Sequence, residues 1–94
     1  MRYFIYLLIS ISKKKIISYV GYTVDIKNRL KLHNTSKGAK FTKGRKWILI
    51  YKKEYTSKSE ALKQEYILKK DYKKRNVIKN KFLKKNENIN FITL

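Results

Sequence analysis

The chain has no cysteine, no proline, three glycines, and six acidic side chains against 25 basic ones in 94 residues. Without cysteine there can be no disulfide, no thiolate zinc site and no cysteine nucleophile. No apolar run approaches the ~20 residues that a membrane-spanning helix needs. The opening "MRYFIYLLISIS" has a short apolar stretch, but "KKK" follows it where a signal peptide would have a small-residue cleavage site. Residues 3–11 are therefore read as a strand. The protein is expected to be soluble and intracellular, in the cytoplasm, with a nucleoid association left open.

What the chain does have is positive charge. Its formal net charge is +19, and lysines outnumber arginines by 21 to 4. Such an excess repels itself and calls for a polyanionic partner. Nucleic acid comes first, because Lys and Arg contacts to phosphates release counterions. A lysine-rich proteome is the bland alternative, although compositional drift would usually raise Glu alongside Lys. Apolar residues make up 43%, with eight tyrosines and four phenylalanines, which is enough for a folded core rather than a disordered basic tail. A chain of this length forms one small domain.

Residues 3–11 and 16–22 are rich in β-branched and aromatic side chains and read as a β-hairpin around the charged turn Ser12–Lys15. "TVDIKNRLKLHN" then changes period, with Ile26, Leu30 and His33 at helical spacing and Thr23 or Asp25 as N-cap. Thr35 to Lys46 is a basic loop with two glycines. Trp47 to Tyr55 is a third strand. "SKSE" (Ser57 to Glu60) fits a capping box that starts a helix running to about Tyr72, and a more polar helix covers residues 73–84. The expected fold class is α/β (α+β): a small three-stranded antiparallel sheet flanked by helices, in the order β-β-α-β-α-α. Residues 1–84 form the domain. Residues 85–94 are a C-terminal tail whose apolar end is a candidate extra strand.

Some residues break these patterns. Ala61, Glu65, Leu68 and Tyr72 share a helix face, widened by Leu62 and Tyr66. Glu65 thus falls within an apolar stripe, where a carboxylate must be paired, protonated or bound to a metal. Arg29 and His33 are i, i+4 neighbours at the edge of another stripe; a solvated Arg and an incidental His are the alternative. Alternation puts Phe4, Tyr6 and Leu8 on one face of the first strand, and Ile17, Tyr19 and Gly21 on one face of the second. Gly21 weakens a strand unless something must come close to its backbone.

Together these pieces resemble the GIY-YIG nuclease superfamily. "FIY" (Phe4 to Tyr6) matches the first motif, with Phe4 where the family has glycine, and "YVG" (Tyr19 to Gly21) matches the second. Twelve residues lie between Tyr6 and Tyr19. Arg29 and His33 fall where the family carries its helix arginine and histidine. "SEALKQEYILKK" (Ser59 to Lys70) is similar to the family's metal-site helix, with Glu65 at the ligand position. The loop "HNTSKGAKFTKGRKW" resembles that of small stand-alone members related to the nuclease domain of excision-repair UvrC proteins. The resemblance spans residues 2–81. No late catalytic asparagine stands out, with Asn76 and Asn80 as candidates.

The resemblance implies the GIY-YIG fold and a Mg²⁺-dependent (or Mn²⁺-dependent) endonuclease that hydrolyses DNA phosphodiester bonds. It names Tyr6, Tyr19, Gly21, Arg29, His33 and Glu65 as the catalytic set, with Glu65 the metal ligand and Arg29 on the scissile phosphate. The general base is Tyr6, Tyr19 or His33, with Tyr6 favoured if Arg29 and a metal-bound water lower its pKa. Lys37, Lys40, Phe41, Lys43, Arg45 and Lys46 are expected to bind nucleic acid, the lysines tracking the backbone and Phe41 stacking a base. Such contacts carry little sequence information, so recognition is expected to depend on structure or strand, in repair, recombination or processing. No small-molecule cofactor and no membrane partner is expected. The alternative is a non-catalytic basic nucleic-acid-binding module that keeps the fold.

Overall fold

A computed structural model describes residues 1–13 and 15–86. The elements follow the expected order: β1 (Tyr3–Ile11), β2 (Ile16–Thr23), α1 (Ile26–Asn34), β3 (Ile48–Tyr55), α2 (Lys58–Lys70) and α3 (Tyr72–Lys85). The sheet is antiparallel throughout, in the order β2-β1-β3. Its central strand is buried on both faces, which explains the unbroken apolar run of β1.

The sheet separates two small cores. On one side Ile5, Leu7 and Val20 pack against Ala61 and Leu68 of α2, with Ile78 of α3 at the margin. On the other side Tyr6, Leu8 and Trp47 pack with Tyr19, Leu49 and the α1 residues Ile26 and Leu30. The β1–β3 register shifts between Leu7, opposite Tyr51, and Leu8, opposite Leu49. This bulge lets Ile50 and Tyr51 both serve the α2 side.

Local chemistry explains the helix ends. Asp25 caps α1 by accepting from the Asn28 N–H at 3.1 Å, and Ser57 caps α2 through the Glu60 N–H at 3.3 Å. The second helix stops at Lys70, short of the expected Tyr72. Asp71 leaves helical geometry there and caps α3 through the Lys74 N–H at 3.0 Å.

The apolar stripe of α2 is also narrower than expected. Ala61 and Leu68 are buried, but Leu62, Tyr66 and Tyr72 are exposed. Glu65 therefore sits at the rim of the buried face, with its side chain 18% exposed. The third helix continues one residue past the expected domain boundary at 84. Most of the tail, from residue 87, lies outside the described residues, and so does its candidate strand. Among the described residues no helix is long and apolar enough to cross a membrane.

Candidate active site

The register places Tyr6 of β1 directly opposite Gly21 of β2. A Cβ at position 21 would overlap the Tyr6 ring. The glycine thus makes room for the Tyr6 ring, which is the group that comes close to its backbone. Lying over Gly21, Tyr6 is almost fully buried and its hydroxyl comes 2.8 Å from His33 Nε2. His33 sits in the last turn of α1 and is fully buried.

The other ring nitrogen, Nδ1, is 2.8 Å from Thr42 Oγ1. The Thr42 hydroxyl in turn donates to the Ala39 carbonyl at 2.8 Å. A carbonyl only accepts, so the single hydroxyl proton of Thr42 is committed to it. Thr42 must then accept from His33, which puts the imidazole proton on Nδ1. Nε2 is left as an acceptor, and Tyr6 donates to it. One orientation therefore runs through the whole chain Tyr6–His33–Thr42–Ala39, and it defines the tautomer.

The loop after α1 is built to hold Thr42 there. Asn34 grips the Trp47 backbone on both sides: its Oδ1 accepts from the Trp47 N–H at 2.6 Å, and its Nδ2 donates to the Trp47 carbonyl at 3.2 Å. The Trp47 indole donates to the Thr42 carbonyl at 2.9 Å. Gly38 lies against His33, where a Cβ would crowd its Cα at 3.1 Å. Trp47 is thus a core residue that anchors the loop. The rings of Tyr6, Tyr19, His33, Phe41 and Trp47 form one cluster, with neighbouring centroids 5.1 to 6.5 Å apart.

Burial pushes the Tyr6 phenol up to about 12 from its ordinary 10.0. The hydrogen bond and charge of Arg29 oppose that rise, while Tyr19 and Glu65 add to it. Arg29 therefore does not lower the phenol below its ordinary value, as the sequence reading supposed; desolvation wins. Burial, then the charge of Arg29, pulls His33 below its usual 6.5. The pair consequently stands as a neutral phenol against a neutral imidazole.

Glu65 approaches from the other layer, since α2 packs on the face opposite α1. Its partner is Lys69 one turn later, at 3.9 Å. The two layers meet at the free edge of β2. A cleft of about 290 Å³ there is lined by Ser18, Tyr19 and Val20 of β2, Phe41 of the loop, and Lys69 and Arg75 of α2 and α3. Phe41 is exposed and lies nearly parallel to Tyr19, at 6.0 Å and 20°.

The expected nucleic-acid residues do not all gather at this cleft. Lys37, Lys40 and Lys43 are exposed on the loop. Arg45 and Lys46 line a separate hollow of about 510 Å³ beside Ser10, Ile11 and Ile48. Asn76 is half-buried and Asn80 exposed on α3, and neither bonds to a site residue. Sequence reasoning missed Thr42, Gly38 and Arg75. Nothing local marks Thr42, whereas Arg75 could have been noticed as one of only four arginines in a lysine-rich chain.

Among the described residues no group of three or more His, Asp or Glu side chains could cage a metal. One partly exposed carboxylate still suits Mg²⁺, which commonly takes one or two carboxylates and keeps several waters. Glu65 is thus a donor of the kind that a hydrated Mg²⁺ takes.

Residues 2–86 match the GIY-YIG catalytic domain family. A UPF0213 protein of Streptococcus pneumoniae serotype 4 is 41% identical over 76 residues, covering 80% of this chain and 74% of its own. A UPF0213 protein of Staphylococcus epidermidis is 52% identical over 52 residues, or 54% of this chain and 63% of its own. The solution NMR structure of a UPF0213 protein from Bacillus halodurans is 33% identical, covers 86% of each chain and has a TM-score of 0.47. With a three-stranded β2-β1-β3 sheet flanked by helices and a family match over nearly its whole length, the chain belongs to the GIY-YIG domain family and is similar to its small UPF0213 members.

Proposed function

We propose that this chain is a metal-dependent endonuclease that hydrolyses DNA phosphodiester bonds. The observation that carries this reading is the buried Tyr6–His33–Thr42 chain, in which Nε2 holds a lone pair for the Tyr6 proton. Phosphodiester hydrolysis needs a proton acceptor for water and positive charge for the developing phosphorane. A water held by Tyr6 passes its proton to the phenol oxygen while the phenol proton moves to Nε2. The phenol stays neutral throughout, so its high pKa is no obstacle. The hydroxide attacks phosphorus as the bond to the sugar oxygen opposite it breaks, and that oxygen takes a proton from solvent water. The proton on Nε2 returns to solvent through Tyr6, and Arg29 stabilises the charge that builds on the phosphate oxygens. Glu65 is the carboxylate that would hold Mg²⁺ or Mn²⁺, which when bound supplies Lewis-acid stabilisation at the phosphate. The lysines of the 37–43 loop contact backbone rather than bases, which favours recognition of structure or strand over sequence. Repair, recombination or processing of DNA is the setting such chemistry suits.

A second reading is a non-catalytic nucleic-acid-binding module that keeps the fold. It is favoured by the lone carboxylate, already paired with Lys69, and by the net charge of +19, which supports binding without chemistry. A cleavage panel separates the two. Single-stranded, duplex, flap and branched DNA are incubated with Mg²⁺, Mn²⁺ or EDTA, beside Glu65→Ala. The nuclease reading expects metal-dependent cuts that Glu65→Ala abolishes while binding survives. Cuts unaffected by that substitution, or no cuts on any substrate, would leave the binding module.

A further inference from the structure

Arg75 is not accounted for by the chemistry above. It rises from α3 into the cleft at the β2 edge, where Nη1 donates to Ser18 Oγ at 3.1 Å. Its Nε is buried and has no hydrogen-bond partner. The Tyr72 ring covers the guanidinium at 5.9 Å. A guanidinium cannot shed its charge, and a buried N–H without an acceptor destabilises the fold.

Among the described residues no carboxylate is left to meet it. Asp25 and Asp71 cap helices, Glu54 pairs with Arg2, Glu60 accepts from Gln64, and Glu65 pairs with Lys69. The cleft adds a second cation, Lys69, and the exposed face of Phe41 stacked on Tyr19. An unmatched guanidinium and a lysine held only loosely by Glu65, at 3.9 Å, beside an exposed aromatic face, suit a ligand with both anionic oxygens and a flat ring.

We infer that this cleft is a second phosphate subsite, in which Arg75 and Lys69 hold a phosphate flanking the scissile one and Phe41 stacks the attached base. Arginine is the right residue there, since its planar fork keeps further Nη hydrogens for phosphate oxygens while Nη1 holds Ser18, whereas a lysine offers a point charge. The base contact is independent of sequence because every base has a π face. The inference rests on the nucleic-acid reading for the identity of the polymer, but not on cleavage. A polynucleotide backbone and free phosphate share the anionic chemistry, and the stacking face beside the cations selects the polymer.

The test is binding in EDTA on a Glu65→Gln background, where no cleavage interferes, so its outcome is separate from that of the nuclease reading. Fluorescence anisotropy of a labelled oligodeoxynucleotide is followed across salt concentrations. Arg75→Gln should weaken binding about tenfold and lower the salt slope by about one. Arg75→Lys should recover the slope but only part of the affinity, and it serves as the test variant should Arg75→Gln not fold. Ser18→Ala removes the same internal hydrogen bond and keeps the guanidinium, so it should bind like the parent. Phe41→Ala should weaken binding to a normal strand and leave an abasic strand unaffected. Parental affinity and slope in Arg75→Gln, or equal weakening by Ser18→Ala, would reduce Arg75 to a strut between α3 and β2. Line broadening of inorganic phosphate by the parent but not by Arg75→Gln, with oligonucleotide affinity unchanged, would overturn the polymer in favour of free phosphate.

Discussion

The Tyr6 hydroxyl lies 2.8 Å from His33 Nε2, and the proton between them belongs to Tyr6. That assignment follows from the far side of the imidazole, where the Thr42 hydroxyl is already committed to the Ala39 carbonyl and can only accept. A threonine in the loop thus governs which way a proton can leave a tyrosine on the central strand.

Thr42→Val keeps the shape and removes the acceptor. The buried Nδ1–H then lacks a partner, which costs about 1–3 kcal/mol. The imidazole can escape by moving its proton to Nε2, but Tyr6 then loses its acceptor. Cleavage should fall on the order of 10²-fold, and Thr42→Ser should restore it. Nitrogen NMR shifts of His33 read the tautomer directly. An unchanged Nδ1–H tautomer in Thr42→Val would refute the positioning role whatever the activity does.

Burial holds His33 below its ordinary 6.5, so acid should destabilise the fold through this residue. As pH falls through about 6.5 the unfolded chain takes up a proton that the folded chain refuses. Stability is then lost from about pH 6.5 down to the lower folded value, by at most about 1.4 kcal/mol per pH unit. His33 is the only histidine, and carboxylates titrate mainly below about pH 5, so the window belongs to it. Urea unfolding between pH 7.5 and 5 should show the slope in the parent and a flat response in His33→Gln. The same slope in both would assign it elsewhere.

Gly21→Ala tests the cross-strand pair. The added methyl meets the Tyr6 ring, and such overpacking costs about 1–3 kcal/mol. The ring must move away from His33, so cleavage should drop further than the lost stability explains. With Tyr6→Ala beneath it, the penalty of Gly21→Ala should largely vanish in a double-mutant cycle. A penalty that persists would place the need for glycine in the strand backbone instead.

Much of the architecture is written in short-range signals. Asp25 and the Ser57–Glu60 pair start their helices through hydrogen bonds three residues long, and the β-branched and aromatic side chains of residues 3–11 and 16–22 favour strand locally. These free energies depend on near neighbours, so the order β-β-α-β-α-α could be read from the chain. The α2 stripe misled because periodicity tells which residues share a face but not how wide a strip the sheet covers. Leu62 and Tyr66 stayed outside, and Glu65 came to the rim.

Tyr6, Tyr19, Arg29, His33 and Glu65 could be singled out as candidates through motif order and spacing. Their partners could not. That Tyr6 lies over Gly21 depends on the β1–β2 register, and that Thr42 reaches His33 depends on a loop closed by Asn34 and Trp47. Arg75 meets Ser18 across 57 positions of sequence, in a cleft that exists only where α2 and α3 flank the free edge of β2. Composition and local pattern settled the elements and the cationic character, because both are sums over neighbouring residues. The direction of the Tyr6 proton, the unmatched charge of Arg75 and the meeting of the two layers at one strand edge arise from packing between distant segments, which no local pattern encodes.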